Sequence, residues 1–408
     1  MRDDREVTTP FGRFAMSPVV SVARARTHVL VKQGLAGEGL GSVLEAVAAT
    51  GGVYGTAPTC YLSCAARVPG FRVADLDREL YEERSVVRTR AMRGMAYIEP
   101  LDLLPALFAC TGEARDKTLV RIAKYAEMTE AETLALADRI EAALHGREPM
   151  TVQEIRAVLG GDLPGNRNAL QMTVALLGRY GRIVRTRARG TWRSDLYPYA
   201  RWADWVGAPV EDVDPAAARV EVARRYLRAY GPATTDDLKW WTGWTKRDTV
   251  PTIQALGDEI TAVSLDGGDA WVLSDEADTL AALDPAAGHG TRLLPVWDAY
   301  FMGYANNGGR SRQVREEDYP RVYDKSGNAT SVVIVDGVAA GVWELDADGG
   351  RIMVAPFDGG LPWDAVEAGA AALGEAIGTA LRLERAHVPG PLSDGPRNTF
   401  LSPISLRP

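Results

Sequence analysis

The sequence has 408 residues, of which 46% are hydrophobic and 25% charged, and a formal net charge of −8. This length is too great for one ordinary core, so we expect several domains of a globular protein. No run of about 18 uncharged apolar residues occurs, so no membrane-spanning helix is expected. The N-terminus lacks the apolar segment of a signal peptide, and the cysteines are too few for a disulfide framework. We therefore expect a cytoplasmic protein.

The charge is distributed unevenly along the chain. Residues 179–193 contain six arginines and no acid, whereas residues 258–284 contain eight acids and no lysine or arginine. A local basic surface is what phosphate binding requires, and the total charge does not exclude it. We therefore expect a nucleic-acid partner despite the negative net charge.

Residues 1–18 are predicted to form a disordered leader. Residues 19–146 are predicted to form a first winged-helix unit with added helices, and the helical pattern begins at Val19. Within this unit, residues 85–100 are expected to form two strands around a turn at Arg93–Gly94.

Residues 147–213 are predicted to form a second winged helix. Helical runs precede the basic stretch 179–193, whose β-branched residues favour a strand. A turn at Ala188–Gly190 and a return strand from Thr191 would complete a basic hairpin. The pentapeptide VRTRA within this stretch also occurs at Val87–Ala91, which indicates that the first two units repeat one structural plan.

Residues 214–276 are predicted to form a third winged helix, with three helices and an acidic hairpin. Residues 277–290 are interpreted as a linker. Residues 291–408 are expected to contain three antiparallel strands, a helix over 362–383 and an irregular tail. The predicted fold class is α+β, with three tandem winged-helix units and a C-terminal region of antiparallel sheet and helix.

No local pattern indicates a metal or nucleotide site. The four histidines show no ligand spacing, and Cys60 and Cys64 have no nearby ligand pair, so both cysteines are interpreted as small core residues. No Walker loop and no G-x-G-x-x-G after a strand occurs. We expect neither a metal nor a cofactor. The sequence does not exclude a Ser-His-Asp or Cys-His catalytic set, but it contains no local signature for one.

The basic hairpins are the strongest functional pattern. An arginine-rich hairpin in a winged helix typically contacts the backbone of duplex DNA, whereas the alternative is a solvated edge strand. We favour DNA contact. Trp240 and Trp241 could stack on DNA, but packing between helices is favoured. The arginines expected to bind DNA are Arg88, Arg90, Arg93, Arg182, Arg185, Arg187, Arg189 and Arg193.

Three segments resemble one family. Residues 292–304, RLLPVWDAYFMGY, resemble the "LLP-x-(F/W)-D-x-Y-x-x-G-Y" segment of the tandem winged-helix DNA glycosylases, the AlkZ/YcaQ-like crosslink-repair family. Residues 87–100 are similar to its "R-x-x-x-MRGT-x-H-x-x-P" stretch. The third segment, from YGPATTDDLKWWTG to AWVLSD, is similar to its third winged helix. The resemblance covers residues 19–400, approximately.

The resemblance implies three winged helices in a concave arrangement that hold damaged duplex DNA. It also implies hydrolysis of the N-glycosidic bond of N7-alkylated or crosslinked purines, by a monomer and for genotoxin self-resistance. An N7-alkylated purine already carries positive charge, so its departure needs little acid catalysis. The protein need only place a water and stabilise the cationic sugar.

The chain departs from the family at its catalytic motif. The family has Gln-x-Gln, Gln-x-Asp or His-x-Gln in a context like G-V-Q-A-Q-x-P, where this chain has Tyr54 and Thr56. Both hydroxyls can still hold a water, so we expect Tyr54 and Thr56 to be catalytic, together with Asp298 of the first resembling segment. Asp298 could instead be a helix or turn cap. The alternative is a non-catalytic DNA-binding protein that shields damage or regulates. After Tyr304, where the family continues with Asp-Arg or Lys-Asp-Arg, the DNA contact falls on Asn306 and Arg310.

Overall fold

This computed structural model describes residues 18–306, 308–387 and 390–392, without the side chains of residues 112–116. The predicted leader, residues 1–18, lies outside the described residues except for Pro18. The chain folds into helices and small sheets, which confirms the α+β class. None of the described helices is both long and apolar enough to cross a membrane.

The first region combines helices with a small antiparallel sheet in the order β2–β4–β3. Its turn at Arg93–Gly94 is confirmed, and both residues have left-handed φ angles of 52° and 69°. Its elements are β1 (Val19–Val20), α1 (Val22–Lys32), α2 (Val43–Ala49), β2 (Val53–Tyr54), α3 (Thr59–Ala65), α4 (Val73–Tyr81), β3 (Val86–Arg90), β4 (Ala96–Pro100), α5 (Leu104–Cys110), α6 (Gly112–Ala126) and α7 (Glu130–Leu144).

The second region contains three helices and a pair of short strands. Its elements are α8 (Val152–Leu159), α9 (Ala169–Arg179), β5 (Ile183–Arg185), β6 (Tyr199–Arg201) and α10 (Trp202–Val206). The prediction of a return strand from Thr191 is wrong, because β5 pairs with β6, which begins at Tyr199. The ring of Trp192 lies edge-on to Tyr61 at 5.6 Å, so a tertiary contact holds the residues that a tight hairpin would have used.

The third region contains three helices and a hairpin, as predicted, and a further short helix follows them. Its elements are α11 (Pro215–Tyr230), α12 (Thr235–Thr242), α13 (Lys246–Leu256), β7 (Ile260–Leu265), β8 (Gly268–Leu273) and α14 (Ala277–Ala282). Val19 is not helical, because β1 pairs in parallel with β7. The segment 277–290, interpreted as a linker, contains α14, whose Leu280 is buried against the α1 region.

The C-terminal region contains a five-stranded sheet in the order β13–β12–β11–β10–β9. Its elements are β9 (Thr291–Leu294), α15 (Ala299–Met302), α16 (Tyr319–Val322), β10 (Val332–Val335), β11 (Val338–Asp346), β12 (Arg351–Pro356), α17 (Trp363–Ile377) and β13 (Arg382–Arg385). The three predicted strands are confirmed as β10, β11 and β12. Helix α17 ends before residue 383, because the amide of Thr379 turns back to the carbonyl of Gly374.

The largest core cluster joins these regions through α11. Tyr226 and Tyr230 of α11 are fully buried, and their hydroxyls donate to the carbonyls of Gly303 and Thr50. A buried tyrosine needs such a partner, because an unpaired hydroxyl in the core is costly. Helix α11 thus ties the loop before β2 to the segment after α15, which brings the motifs of both ends of the chain together.

Candidate functional site

Tyr54 and Thr56 lie where the chain leaves the small sheet and turns into α3. Tyr54 is the last residue of β2 and pairs with Tyr97 of β4. The amide of Gly55 then donates to a β4 carbonyl at 2.8 Å, and α3 begins at Thr59. Strand pairing on one side and a helix start on the other therefore fix both predicted catalytic residues.

Aromatic neighbours enclose the ring of Tyr54, which is 3% exposed. Its centroid lies 4.9 Å from that of Tyr97 and 5.8 Å from that of Trp297, with which it stacks at 19°. Burial raises the pKa of the Tyr54 hydroxyl, an effect that the nearby charge of Arg93 opposes. The hydroxyl is therefore neutral at physiological pH and can exchange hydrogen bonds, but it cannot serve as an anionic base.

Thr56 contributes a hydroxyl that is free to bind. Its Oγ1 atom is buried and has no hydrogen-bond partner among the residues that the structure describes. Buried polar groups of this kind are usually satisfied by an ordered water or a ligand. The Thr56 hydroxyl can therefore hold a water next to Tyr54, which is what its position in the motif requires.

Tyr97 and Glu99 belong to the same face of β4, because side chains two residues apart in a strand share a face. Both carboxylate oxygens of Glu99 are buried without a hydrogen-bond partner within the described chain. Burial raises the pKa of this carboxyl well above its usual value. A Cβ atom at Gly52, which has a φ of 95°, would lie 2.3 Å from Oε1 of Glu99, so only glycine fits there.

Sequence reasoning did not single out Tyr97 or Glu99. A signal was present for Tyr97, which occupies the position of His in the "R-x-x-x-MRGT-x-H-x-x-P" stretch. No sequence pattern indicated Glu99, because a glutamate in a strand is ordinarily a solvated residue. Only the packing of β4 against β2 shows that its side chain is enclosed.

Asp298, which is expected to be catalytic, lies in a buried hydrogen-bond network. It is fully buried, and its carboxylate accepts two hydrogen bonds from Arg67, at 2.7 and 2.8 Å, and one from Ser63 at 2.8 Å. It also caps α15 by accepting from the amide of Tyr300. A carboxylate with all these partners anchors the core and has no capacity left for a water or a sugar.

Arg93 connects the tyrosine pair to a large cavity. Its charge lowers the pKa of both Tyr54 and Tyr97 against the dominant effect of burial. Its guanidinium lies 4.1 Å from the ring centroid of Trp240, and that of Arg310 lies 4.6 Å from the same centroid. This stack, together with the left-handed backbone at Arg93, holds the side chain in the cavity wall.

The cavity has a volume of about 700 Å³ and is bordered by the β3–β4 turn, α6, the end of α9 and the helices α11 to α13. Asp248 is the carboxylate among its described lining residues, and this residue already accepts hydrogen bonds from Thr245 as a helix cap. The cationic lining residues are Arg90, Arg93, Lys117, Arg121, Arg179 and Arg219. The described lining is therefore strongly positive.

Most of the predicted DNA-binding arginines of the second unit are paired with acids of the protein. Arg187 lies 2.7 Å from Asp77, and Arg189 lies 2.7 Å from Glu154. The remaining pairs are Arg182 with Asp138 and Glu141, and Arg193 with Asp348. The sequence could not show these pairs, because each acid is distant along the chain. Arg185 differs, since it carries no ion pair within the described residues and faces the ring of Tyr197.

Arg88 and Arg310 are buried, contrary to the expected DNA contact. Arg88 is 1% exposed and donates to the carbonyl of Gly55 at 2.7 Å and to the hydroxyl of Tyr197 at 2.5 Å. Arg310 is also 1% exposed, and each of its three guanidinium nitrogens donates to a protein oxygen. Neither can reach a phosphate while it keeps these bonds. Asn306, by contrast, is exposed.

Comparisons with known proteins give the family. A sequence model of the DNA glycosylase AlkZ-like family matches residues 45–383. The chain is 28% identical over 315 residues to an interstrand DNA cross-link repair glycosylase of Streptomyces sahachiroi. The aligned region covers 72% of this chain and 80% of that protein. The solved structure of the Streptomyces sahachiroi DNA glycosylase AlkZ is similar with a TM-score of 0.76 at 25% identity, over 90% of this chain and 100% of that one. The chain belongs to the AlkZ-like family of DNA glycosylases, which are hydrolases of N-glycosidic bonds.

Proposed function

We propose that the chain is a monomeric, monofunctional glycosylase that releases N7-alkylated or crosslinked purines from damaged duplex DNA. The observation that carries this proposal is the position of Tyr54 and Thr56, at the site of the family motif and beside Arg93 of the basic cavity. The relative from Streptomyces sahachiroi is a crosslink-repair enzyme by name. Genotoxin self-resistance in the cytoplasm is the corresponding biological role.

The chemistry needs only modest help from these residues. A purine that is alkylated at N7 leaves as a neutral base, and the bond that breaks is the one between the sugar C1′ and the base nitrogen. Thr56 would hold the attacking water through its free hydroxyl, and the neutral hydroxyl of Tyr54 would orient it. Water then adds to C1′, and its proton is lost to solvent. Positioning and electrostatic stabilisation therefore account for the rate.

The DNA would be held by three winged helices, each with helices followed by a strand pair. The strand pairs are β3–β4, β5–β6 and β7–β8. Of the predicted DNA ligands with a cationic side chain, those that are neither fully buried nor paired with an acid of the described chain are Arg90, Arg93 and Arg185. Exposed Asn306 is a further polar contact.

The test is base release. Purified protein is incubated with duplex that contains N7-methylguanine, and with duplex that carries an interstrand crosslink between N7 atoms of guanine, and free base is measured by mass spectrometry. Release that is lost in the double variant Tyr54→Phe, Thr56→Val supports the proposal. No release from either substrate, with folded protein and intact duplex binding, contradicts it.

One observation favours a second function, a non-catalytic DNA-binding protein. The ring of Tyr54 is enclosed between Tyr97 and Trp297, so it fills space that a glutamine would leave partly open. Salt-dependent binding to duplex without base release from either substrate would favour this function over hydrolysis.

A further inference from the structure

Several cationic residues of the cavity differ from most of those of the second unit in one respect. This is whether a carboxylate of the protein already forms an ion pair with them. Arg182, Arg187, Arg189 and Arg193 each lie next to a carboxylate of the protein. Lys117, Arg121 and Arg219 have no hydrogen bond or ion pair with any described residue. An arginine that is already paired with a carboxylate has fewer free N–H donors and less uncompensated charge to offer a phosphate than an unpaired one.

The cavity residues are held together by the fold. Lys117 and Arg121 are one helical turn apart on α6 and are exposed on the same face. Arg179 donates to the hydroxyl of Thr118 at 3.0 Å, which fixes its guanidinium in the cavity wall. A Cβ atom at Gly94 would lie 1.1 Å from Nη2 of Arg179, so this glycine leaves the space that the guanidinium occupies.

Like charges in this cluster oppose one another. Burial and the charge of Arg121 lower the pKa of Arg179. Burial, followed by the charges of Arg185 and Arg179, lowers the pKa of Arg90 to about 10. Such repulsion is unfavourable in the free protein, and an anion that enters the cavity relieves it. The volume of about 700 Å³ is in the range of ligand clefts and accepts a group larger than an isolated ion.

We propose that this cavity binds the phosphodiester backbone of the DNA strand beside the damaged nucleotide, with Lys117, Arg121 and Arg219 as its outer ligands. The proposal rests on the proposed DNA function and deepens it by naming the surface. Arg93 is the residue that links the two sites, because it lines the cavity and lies next to Tyr54 and Tyr97. The paired arginines of the second unit then act mainly to stabilise the fold through their ion pairs.

The test compares two triple variants in binding to an undamaged duplex of fixed length. The cavity variant is Lys117→Ala, Arg121→Ala, Arg219→Ala, and the matched variant is Arg187→Ala, Arg189→Ala, Arg193→Ala. Each removes three cations from exposed or half-exposed positions. Fluorescence anisotropy gives Kd over a series of salt concentrations. Each lost phosphate contact lowers the slope of log Kd against log salt by about 0.9, so the cavity variant should lose a slope of roughly 2 to 3. The matched variant should lose less than about 1.

The proposal is overturned if the cavity variant keeps the wild-type slope, or if the matched variant loses more slope than the cavity variant. The variant Lys117→Arg, Arg121→Lys, Arg219→Lys keeps the charges and should restore the slope, which separates charge from folding. Inorganic phosphate at matched ionic strength is a second probe. A thermal shift with phosphate that depends on the three residues, without a change in the duplex slope, would show a site for a small anion and overturn the DNA assignment.

This experiment is independent of base release. If the cavity variant loses its salt slope and no substrate releases base, the proposed hydrolysis fails and the backbone site stands. If base is released while the salt slope does not change, the hydrolysis stands and the cavity assignment fails.

Discussion

The ring of Tyr54 stacks on the indole of Trp297, with centroids 5.8 Å apart and 19° between the planes. This contact joins the end of β2 to the RLLPVWDAYFMGY segment, more than two hundred residues later in the chain. Trp297 has a left-handed φ of 57°, which is rare for a bulky residue and must be held by its surroundings. Its Nε1 donates to Asn328, which is one such restraint.

The variant Tyr54→Phe distinguishes the contribution of the hydroxyl from that of the ring. The stack with Trp297 is kept, so we expect a change in the free energy of unfolding below about 1 kcal/mol, because no buried partner is lost. The rate of base release should fall by about 2- to 10-fold, which is the effect of removing one hydrogen bond between neutral groups, here the tyrosine hydroxyl and the attacking water. Single-turnover release of N7-methylguanine and thermal unfolding check both parts. An unchanged rate would remove Tyr54 from the chemistry.

Arg88→Met tests the support of the segment from Tyr54 to Thr56. Arg88 is the donor to the carbonyl of Gly55, which lies between Tyr54 and Thr56, and methionine fills similar volume without donating. The unpaired buried carbonyl should cost about 1 to 3 kcal/mol of unfolding free energy. Chemical denaturation measures this cost. Arg187→Met is the matched control at a half-exposed arginine and should cost less than about 1 kcal/mol. Equal losses in both variants would contradict the supporting role.

Asp298→Asn tests whether this residue is structural. Removing one charge of its buried pair with Arg67 leaves an uncompensated guanidinium, which should cost about 3 to 5 kcal/mol of unfolding free energy. The rate of base release by the folded fraction should stay within about threefold, because protein donors already occupy the acceptor positions of Asp298. Denaturant unfolding and single-turnover kinetics at low temperature measure the two effects. A large loss in the rate of base release by a stable variant would show that Asp298 takes part in catalysis.

Glu99 should give the fold a pH dependence. Its carboxyl has a pKa well above 4.5 in the folded chain because of burial, and the charge of Arg225 opposes this shift. The stability that the neutral form contributes is fully present below the pKa of the unfolded state, near 4.5, and is lost as pH rises through the folded pKa. Glu99→Gln keeps a neutral group of the same shape at every pH.

The measurement is the unfolding free energy of the wild type and of Glu99→Gln between pH 5 and pH 9. The variant should gain stability relative to the wild type as pH rises, and the two should converge towards pH 5. A parallel pair of curves would show that Glu99 is charged in the folded protein or exposed.

The sequence predicted much of the local structure for physical reasons that act over short distances. The hairpin around Arg93–Gly94, the acidic hairpin of β7 and β8, and the strands β10 to β12 follow from alternation, turn residues and β-branched content. The strand β1 was missed because two valines pair with β7 from a distant part of the chain. A short segment with a distant partner carries no periodic pattern of its own.

The candidate site was predictable only in part. The family motif predicted Tyr54 and Thr56 as site residues, and the helix that follows them is a local feature. Local charge was a poorer guide, because an arginine in a basic stretch looks the same whether or not it has a partner. Arg187 and Arg193 form ion pairs with Asp77 and Asp348, which lie in other regions of the fold.

The sequence by itself determined the family motifs, the element types and the presence of two hydroxyl residues where the family has amides. The tertiary structure decided which charges are free. It buried Arg88, Arg310 and Asp298 in hydrogen-bond networks, because a buried ion is stable only when it is paired. It also gathered Lys117, Arg121 and Arg219 from two helices, α6 and α11, around one cavity. Burial and pairing depend on residues that are distant in sequence, so only the folded chain fixes them.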